Sequence, residues 1–130
     1  MEIDHIRDID EFINLYNTRP MPNQYELEFL INNPNLFCFY DEEEGFLRGF
    51  ITIQREEFKE LDGQTVLTLS GTSIRKNMAD NIQAIIKICN AFDDDMYSYT
   101  PLKHAALVLK KAGFEKLKDK IFVRYNNGKQ

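Results

Sequence analysis

Cysteine is scarce in this chain of 130 residues, which contains only Cys38 and Cys89. So few cysteines exclude a scaffold that depends on disulfide bonds. Both lie within apolar runs, and we therefore expect buried, reduced thiols, as in a cytoplasmic protein. Residues 1–4 are acidic and lack the basic and apolar regions of a signal peptide, which favours the same location.

Long apolar stretches and an excess of positive charge are also missing. No run approaches the roughly 20 apolar residues that cross a bilayer, so we expect no membrane-spanning segment. The net charge is −5, whereas nonspecific nucleic-acid binding depends on lysine and arginine, so we do not expect nucleic acid as a partner. The sequence has no G-x-S-x-G elbow, no P-loop and no Cys/His pair at metal-ligand spacing, and we expect no metal site.

The charge that is present is unevenly distributed. Residues 1–100 carry a net charge of −11, whereas residues 101–130 carry +6. One interpretation is that the basic end packs beside the acidic body and partly cancels its charge. The other is that it forms a cationic face for an anionic ligand, a protein partner or a second copy of the chain.

Hydrophobic periodicity predicts four helices and five strands, which a chain of this length fits into one domain. The helices are expected at about residues 9–16, 24–31, 78–89 and 102–109, with Asp8 and Asn77 as caps and Gly113 ending the last one. Their inward-facing residues are expected, helix by helix, to be Ile9, Phe12, Ile13 and Tyr16; Leu27, Leu30 and Ile31; Met78, Ile82, Ile85, Ile86 and Cys89; and Leu102, Ala105, Ala106 and Leu109. The strands are expected at about residues 36–40, 46–54, 65–69, 96–100 and 121–125. This order predicts an α+β protein with a mixed sheet.

The order of elements resembles the GNAT N-acetyltransferase fold. The most specific match is Ala105–Glu115, a late helix followed by a Gly-Phe step, together with the strand that ends at Val123-Arg124-Tyr125. The resemblance implies one GNAT-like domain over residues 1–130, with a central, mostly antiparallel sheet flanked by helices. It also implies acetyl transfer from acetyl-CoA to a small-molecule or protein amine.

The cofactor motif of the family, Q/R-x-x-G-x-G/A, corresponds to Arg75, Lys76, Asn77, Met78, Ala79 and Asp80. Arg75 matches the first position, but Met78 and Asp80 stand where the family prefers glycine or another small residue. Small residues let backbone N–H groups at a helix N-terminus approach the pyrophosphate, and a carboxylate there repels phosphate. The resemblance therefore implies a degenerate cofactor loop, with weak or eroded activity.

The catalytic residues implied by the resemblance are few. The backbone of Leu69, Ser70 and Gly71 is expected to hold the acetyl carbonyl where neighbouring strands splay. The tyrosine that many family members place before the Gly-Phe step is Leu109 here, and no carboxylate lies within the strand at 65–69. Tyr99 remains the candidate proton donor, with Tyr97 beside it, and packing on the sheet is the alternative role for both.

A second hypothesis is a protein that kept the fold and lost the catalytic site. Small GNAT-like chains with altered cofactor loops are similar to certain phage-encoded proteins, including internal virion components. Such a protein would be structural or would bind partners through its polarised charge, inside a virion rather than only in the cytoplasm. Fold alone does not distinguish these hypotheses, since function depends on the site.

Overall fold

The computed structural model describes residues 2–19, 25–73 and 78–126. Within these ranges the chain forms seven strands and four α-helices. The strands are β1 (Glu2–Asp4), β2 (Leu36–Tyr40), β3 (Leu47–Phe58), β4 (Gln64–Ser73), β5 (Met96–Tyr99), β6 (Glu115–Lys118) and β7 (Ile121–Arg124). The helices are α1 (Ile9–Thr18), α2 (Leu27–Asn32), α3 (Met78–Asn90) and α4 (Lys103–Lys111).

The strands form one sheet in the order β1-β2-β3-β4-β5-β7-β6. β2 pairs antiparallel with both β1 and β3, and β7 pairs antiparallel with both β5 and β6. β4 and β5 pair in parallel, with α3 between them in the chain. The expected α+β class with a mostly antiparallel, mixed sheet is confirmed. None of the described helices is long and apolar enough to span a bilayer.

The chain divides into two compact units, and β3 and β4 contribute residues to both. Unit 1 comprises Met1–Thr52 and Ser70–Lys76, and unit 2 comprises Ile53–Leu69 and Asn77–Gln130. The core of unit 1 is built from apolar residues of its helices and strands: Phe12, Leu15, Leu30, Leu36, Cys38, Tyr40, Leu47 and Phe50. The rings of Phe12 and Phe50 pack with centroids 4.8 Å apart.

Helix α1 begins where the sequence predicts. The carboxylate of Asp8 accepts hydrogen bonds from the backbone N–H groups of Asp10 and Glu11 at 3.0 and 3.2 Å, which confirms Asp8 as the cap. The predicted inward residues included Ile9, which is instead 44% exposed, while Leu15 is buried. The buried face of α1 therefore includes Leu15 and excludes Ile9, in contrast to the predicted face.

In unit 2, helix α3 buries Asn81, Ala84, Ile85, Ile88 and Cys89. These positions follow i, i+3, i+4, i+7 and i+8, the spacing of one helix face. The predicted stripe, Met78, Ile82, Ile85, Ile86 and Cys89, is wrong in part, because Met78, Ile82 and Ile86 are only half-buried. A polar residue, Asn81, takes a place in the buried stripe that an apolar residue was expected to fill.

Helix α4 ends as expected and begins later than expected. Gly113 adopts a φ of 97°, and the N–H of Phe114 donates to the carbonyl of Leu109 at 3.0 Å, a helix end that glycine favours. The predicted buried stripe began at Leu102, which is 52% exposed and precedes the helix. Only Leu109 of that stripe is fully buried.

Strands β1 and β6 were not predicted from the sequence. Each is short and rich in charge, so neither shows the apolar alternation that marks a strand. Arg7 secures β1: its guanidinium donates to Glu2 and Asp4 at 2.8 and 3.0 Å and lies 4.3 Å from the centre of the Tyr40 ring. The hydrogen bond from Arg7 and one from the backbone N–H of His5 lower the pKa of the Asp4 carboxyl.

Candidate functional site

Strands β4 and β5 form a short parallel ladder in unit 2. The described ladder has two register pairs, Leu67 with Met96 and Thr68 with Tyr97. Both strands continue beyond this point, β4 to Ser73 and β5 to Tyr99. Among the described residues of unit 2, the register therefore ends at Thr68 and Tyr97, and Leu69 and Ser98 follow it in strand conformation.

Ser98 bridges the two strands just beyond the end of the ladder. Its buried hydroxyl donates to the carbonyl oxygen of Leu69 at 2.7 Å. The Leu69 carbonyl therefore accepts from a side-chain hydroxyl, whereas in a continuing ladder it would accept from a backbone N–H group. Leu69, a predicted acyl-binding residue, is itself 3% exposed, so its contribution to a ligand would come from its backbone.

The two tyrosines of β5 lie on the opposite face from Ser98. Tyr97 and Tyr99 are half-buried, while Met96 and Ser98 alternate with them and are fully buried. Burial raises the pKa of the Tyr97 hydroxyl, and the charges of Asp95 and Tyr125 raise it further. Tyr97 therefore keeps its proton at neutral pH, and the structure leaves both tyrosines partly accessible to a ligand on this face.

A polar cluster that the sequence did not predict joins β3 and β4 in unit 2. The Nε2 of Gln54 donates to the Oγ1 of Thr68 at 2.8 Å. That hydroxyl in turn lies 3.1 Å from the carbonyl of Gln54 and 3.2 Å from the Oε2 of Glu56, and its single hydrogen serves one of these two acceptors at a time. Thr68 is 1% exposed and Glu56 is half-buried.

Glu56 supplies the carboxylate that the sequence search did not find. That search considered only residues 65–69, whereas Glu56 belongs to the neighbouring strand β3 and reaches Thr68 from there. Strand β3 was expected to end at Gln54 but continues to Phe58, with Arg55 and Glu57 exposed in alternation. Residues 54–57 are all polar, so the sequence shows no apolar alternation here that would extend the strand to Glu56.

The predicted cofactor loop is only partly described. Arg75, Lys76 and Asn77 lie outside the described residues, so their predicted roles, including the cap at Asn77, stay predictions. Met78 and Asp80 are half-buried, and Ala79 is exposed, in the first turn of α3 as described. Asp80 suits the positive end of the helix dipole, but its carboxylate opposes a bound phosphate.

Ser70 and Gly71 are held within unit 1. The hydroxyls of Ser70 and Tyr25 lie 3.4 Å apart, and Ser70 is buried. A Cβ added at Gly71 would lie 2.5 Å from the carbonyl oxygen of Phe50, so the position excludes every side chain. The close approach of two backbones explains why glycine occupies this part of β4.

A groove of about 390 Å³ lies beside α2 in unit 1. Its lining combines two carboxylates, one ring and two amides: Glu26, Glu28, Phe29, Asn32, Asn33 and Pro34. The Phe29 ring stacks on Tyr25 with centroids 5.7 Å apart, and Tyr25 is the residue whose hydroxyl contacts Ser70. Carboxylates beside an aromatic face suit a cationic group.

The comparisons with known proteins leave the site to be interpreted from its own residues. The chain matches no protein-family model and no curated protein. Among residues 2–19, 25–73 and 78–126, no group of three or more His, Cys, Asp or Glu residues is placed to hold a metal ion. Leu109, at the position where the resemblance implies a tyrosine, is buried and has no proton to donate.

Proposed function

We propose that this chain is a GNAT-like protein that binds acetyl-CoA and transfers its acetyl group to an amine, with weak activity. The observation that carries the proposal is the parallel β4–β5 pair of unit 2, whose described register ends at Thr68 and Tyr97 and whose two strands are connected in the chain by α3. An extended acyl-carrying chain would bind along the backbone of β4 just after this register, beginning at Leu69.

The proposed roles follow from the chemistry of acetyl transfer. The substrate ammonium first loses a proton to solvent. The neutral amine nitrogen then attacks the thioester carbonyl, a C–N bond forms, the C–S bond breaks, and the surplus proton on nitrogen passes to solvent. Backbone N–H groups at Leu69, Ser70 and Gly71 would stabilise the carbonyl oxygen. Tyr99 would donate a proton to the departing thiolate. Holding both reactants in place supplies much of the remaining rate.

The first turn of α3 fits the coenzyme phosphates only in part. Exposed Ala79 leaves its backbone accessible, whereas the carboxylate of Asp80 opposes negative charge. Arg75 and Lys76 would supply the compensating positive charge. We therefore propose weak affinity for acetyl-CoA, with Asp80 as the main cause.

The groove beside α2 in unit 1 has the negative charge and the aromatic surface that suit an amine acceptor. The amine of a substrate is protonated at neutral pH, and the groove presents the carboxylates of Glu26 and Glu28 beside the ring of Phe29. Tyr25 connects this groove to Ser70 of β4 within unit 1. The acceptor class would accordingly be a cationic primary amine, free or on a protein.

The alternative is a non-catalytic GNAT-fold protein with a structural or interaction role, such as a phage virion or assembly component. Two observations favour it: the side chain of Leu109 offers no proton, and Asp80 places a carboxylate in the first turn of α3, where the resemblance implies the pyrophosphate. In this alternative the polarised charge of the chain serves docking to a partner.

Thermal denaturation with acetyl-CoA tests the proposal. At about 100 times its dissociation constant, a ligand that binds only the folded state stabilises it by roughly 2.7 kcal/mol. We expect the rise in Tm to be smaller for Arg75→Ala and larger for Asp80→Gly, whereas Lys87→Ala, at an exposed position in the last turn of α3, serves as the matched control. No rise in wild-type Tm at millimolar acetyl-CoA would exclude the enzyme and leave the non-catalytic alternative.

A further inference from the structure

The outer face of α4 is basic and surrounds an exposed leucine. Leu107 is 45% exposed, and Lys103, Lys110 and Lys111 are exposed at i−4, i+3 and i+4 from it. Residues at these spacings lie next to one another on a helix surface. We name this set (Lys103, Leu107, Lys110 and Lys111) the basic face; no acidic residue occurs between residues 101 and 114.

The turn between β2 and β3 has the opposite charge and the same organisation. Phe46 is 40% exposed and follows exposed Glu43 and Glu44 in the acidic turn, which we define as Asp41–Phe46. The turn is well fixed: Asp41 Oδ2 accepts from the N–H groups of Glu43 and Glu44 at 3.2 and 2.8 Å. Backbone hydrogen bonds also join Asp41 to Phe46 and Gly45, both at 2.9 Å.

Each surface thus has an apolar centre with a charged border, and the two borders have opposite sign. Stable protein interfaces have this organisation, with an apolar core inside a polar rim. The net charge of −5 makes copies of the chain repel one another unless surfaces of opposite charge meet. Association between copies is therefore favoured where a basic surface, such as the basic face, meets an acidic one.

We propose that the acidic turn of one copy docks on the basic face of a second copy, with Phe46 against Leu107. The two surfaces differ, so the contact is heterologous and either closes into a ring or continues as a chain. This inference is independent of acetyl transfer, and its test uses no acetyl-CoA.

Sedimentation of the full chain at low and high salt tests the proposal. Because charges at the border attract less strongly as screening increases, we expect species larger than 15.3 kDa at about 0.02 M salt and monomer at about 0.5 M. A monomer at every salt concentration and at every protein concentration up to about 1 mM would overturn the proposal.

Charge reversal identifies the surfaces. We expect two charge-reversal variants, Lys110→Glu/Lys111→Glu and Glu43→Lys/Glu44→Lys, to associate at least about tenfold more weakly than wild type. In each variant the acidic turn and the basic face carry charge of the same sign and therefore repel. An equimolar mixture of the two should associate again, since opposite charges are restored between variants. Circular dichroism of each variant checks its folding.

Matched controls make the outcome decisive. Lys59→Glu/Lys87→Glu changes the net charge by the same amount at exposed positions outside the basic face and should associate like wild type. Folded reversal variants that associate as strongly as wild type, or a mixture that stays monomeric, would overturn the proposal.

Discussion

At the scale of single residues, Thr68 links strands β3 and β4 of unit 2 through its side chain. Its hydroxyl contacts both Gln54 and Glu56, so a carboxylate from one strand reaches the neighbouring strand. A buried hydroxyl requires such partners, because leaving it without a hydrogen bond costs about 1–3 kcal/mol. The hydrogen bond with Thr68 therefore holds the carboxylate of Glu56 beside strand β4.

Tyr99→Phe tests the proposed proton donor. Phenylalanine keeps the ring but has no hydroxyl, so we expect kcat for acetyl transfer to fall by about 100-fold while the stabilisation by acetyl-CoA is unchanged. Release of free thiol measures the rate. Tyr97→Phe, on the same face of β5, is the matched control. Equal rates for Tyr99→Phe and wild type would exclude Tyr99 from the chemistry.

Cys38 predicts a dependence of stability on alkaline pH. The pKa of its thiol is raised from the ordinary value of 9.0 to about 12, mainly by burial; a hydrogen bond with Tyr40 acts in the opposite direction, and the charges of Asp4 and Glu11 add to the rise. The unfolded thiol ionises first, so its contribution to stability is complete below pH 9 and is lost as the pH rises.

Urea unfolding measures this loss. Between about pH 8.5 and 10.5 we expect the free energy of unfolding to fall by about 2 kcal/mol through Cys38. Cys38→Ala removes the thiol and should reduce the slope of stability against pH over this range, whatever its absolute stability. An identical slope in the variant would show that other groups cause the loss.

At the scale of elements, β4 depends on Gly71. An alanine there would place its Cβ 2.5 Å from the Phe50 carbonyl oxygen, so the backbone of β3 or β4 must move. We expect Gly71→Ala to destabilise the protein by about 1–3 kcal/mol in thermal or urea unfolding. Thr65→Ala, exposed on the same strand, should change stability by less than about 0.5 kcal/mol. A Gly71→Ala variant as stable as this control would contradict the close packing.

The sequence predicts the strands and helices that bury a regular pattern of apolar side chains. It misses those that are secured by polar contacts. Strand β2, with its run of buried apolar residues, was placed correctly at residues 36–40. Strand β1 was missed because the hydrogen bonds and ring contact of Arg7 secure it rather than apolar burial. The stripe of α3 was misplaced because buried Asn81 reads as a surface residue by its polarity.

The candidate site was predictable in part for the same reason. Gly71 was singled out in the sequence, and the structure gives the physical cause. Glu56 was missed because its position depends on a hydrogen bond across strands, which no local pattern records. The buried, reduced state expected for Cys38 and Cys89 is confirmed, since apolar flanks report burial directly.

At the scale of the whole molecule, local hydrophobic periodicity does not predict the order in which the strands pair within the sheet. Hydrophobic patterns indicate where strands begin and end, but the parallel pairing of β4 and β5 requires residues about 30 positions apart to meet. The uneven charge, in contrast, was visible in the sequence, and the structure shows that its basic part reaches the surface on α4.

Strand β6 stands last in the strand order and presents four exposed residues, with Leu117 between Lys116 and Lys118. A further strand from another molecule could extend the sheet along this edge only by bringing its backbone against two ammonium groups. Lysines at a sheet edge are a known protection against amyloid growth. The residues that made β6 invisible to strand prediction are therefore the ones that protect the folded chain from forming fibrils.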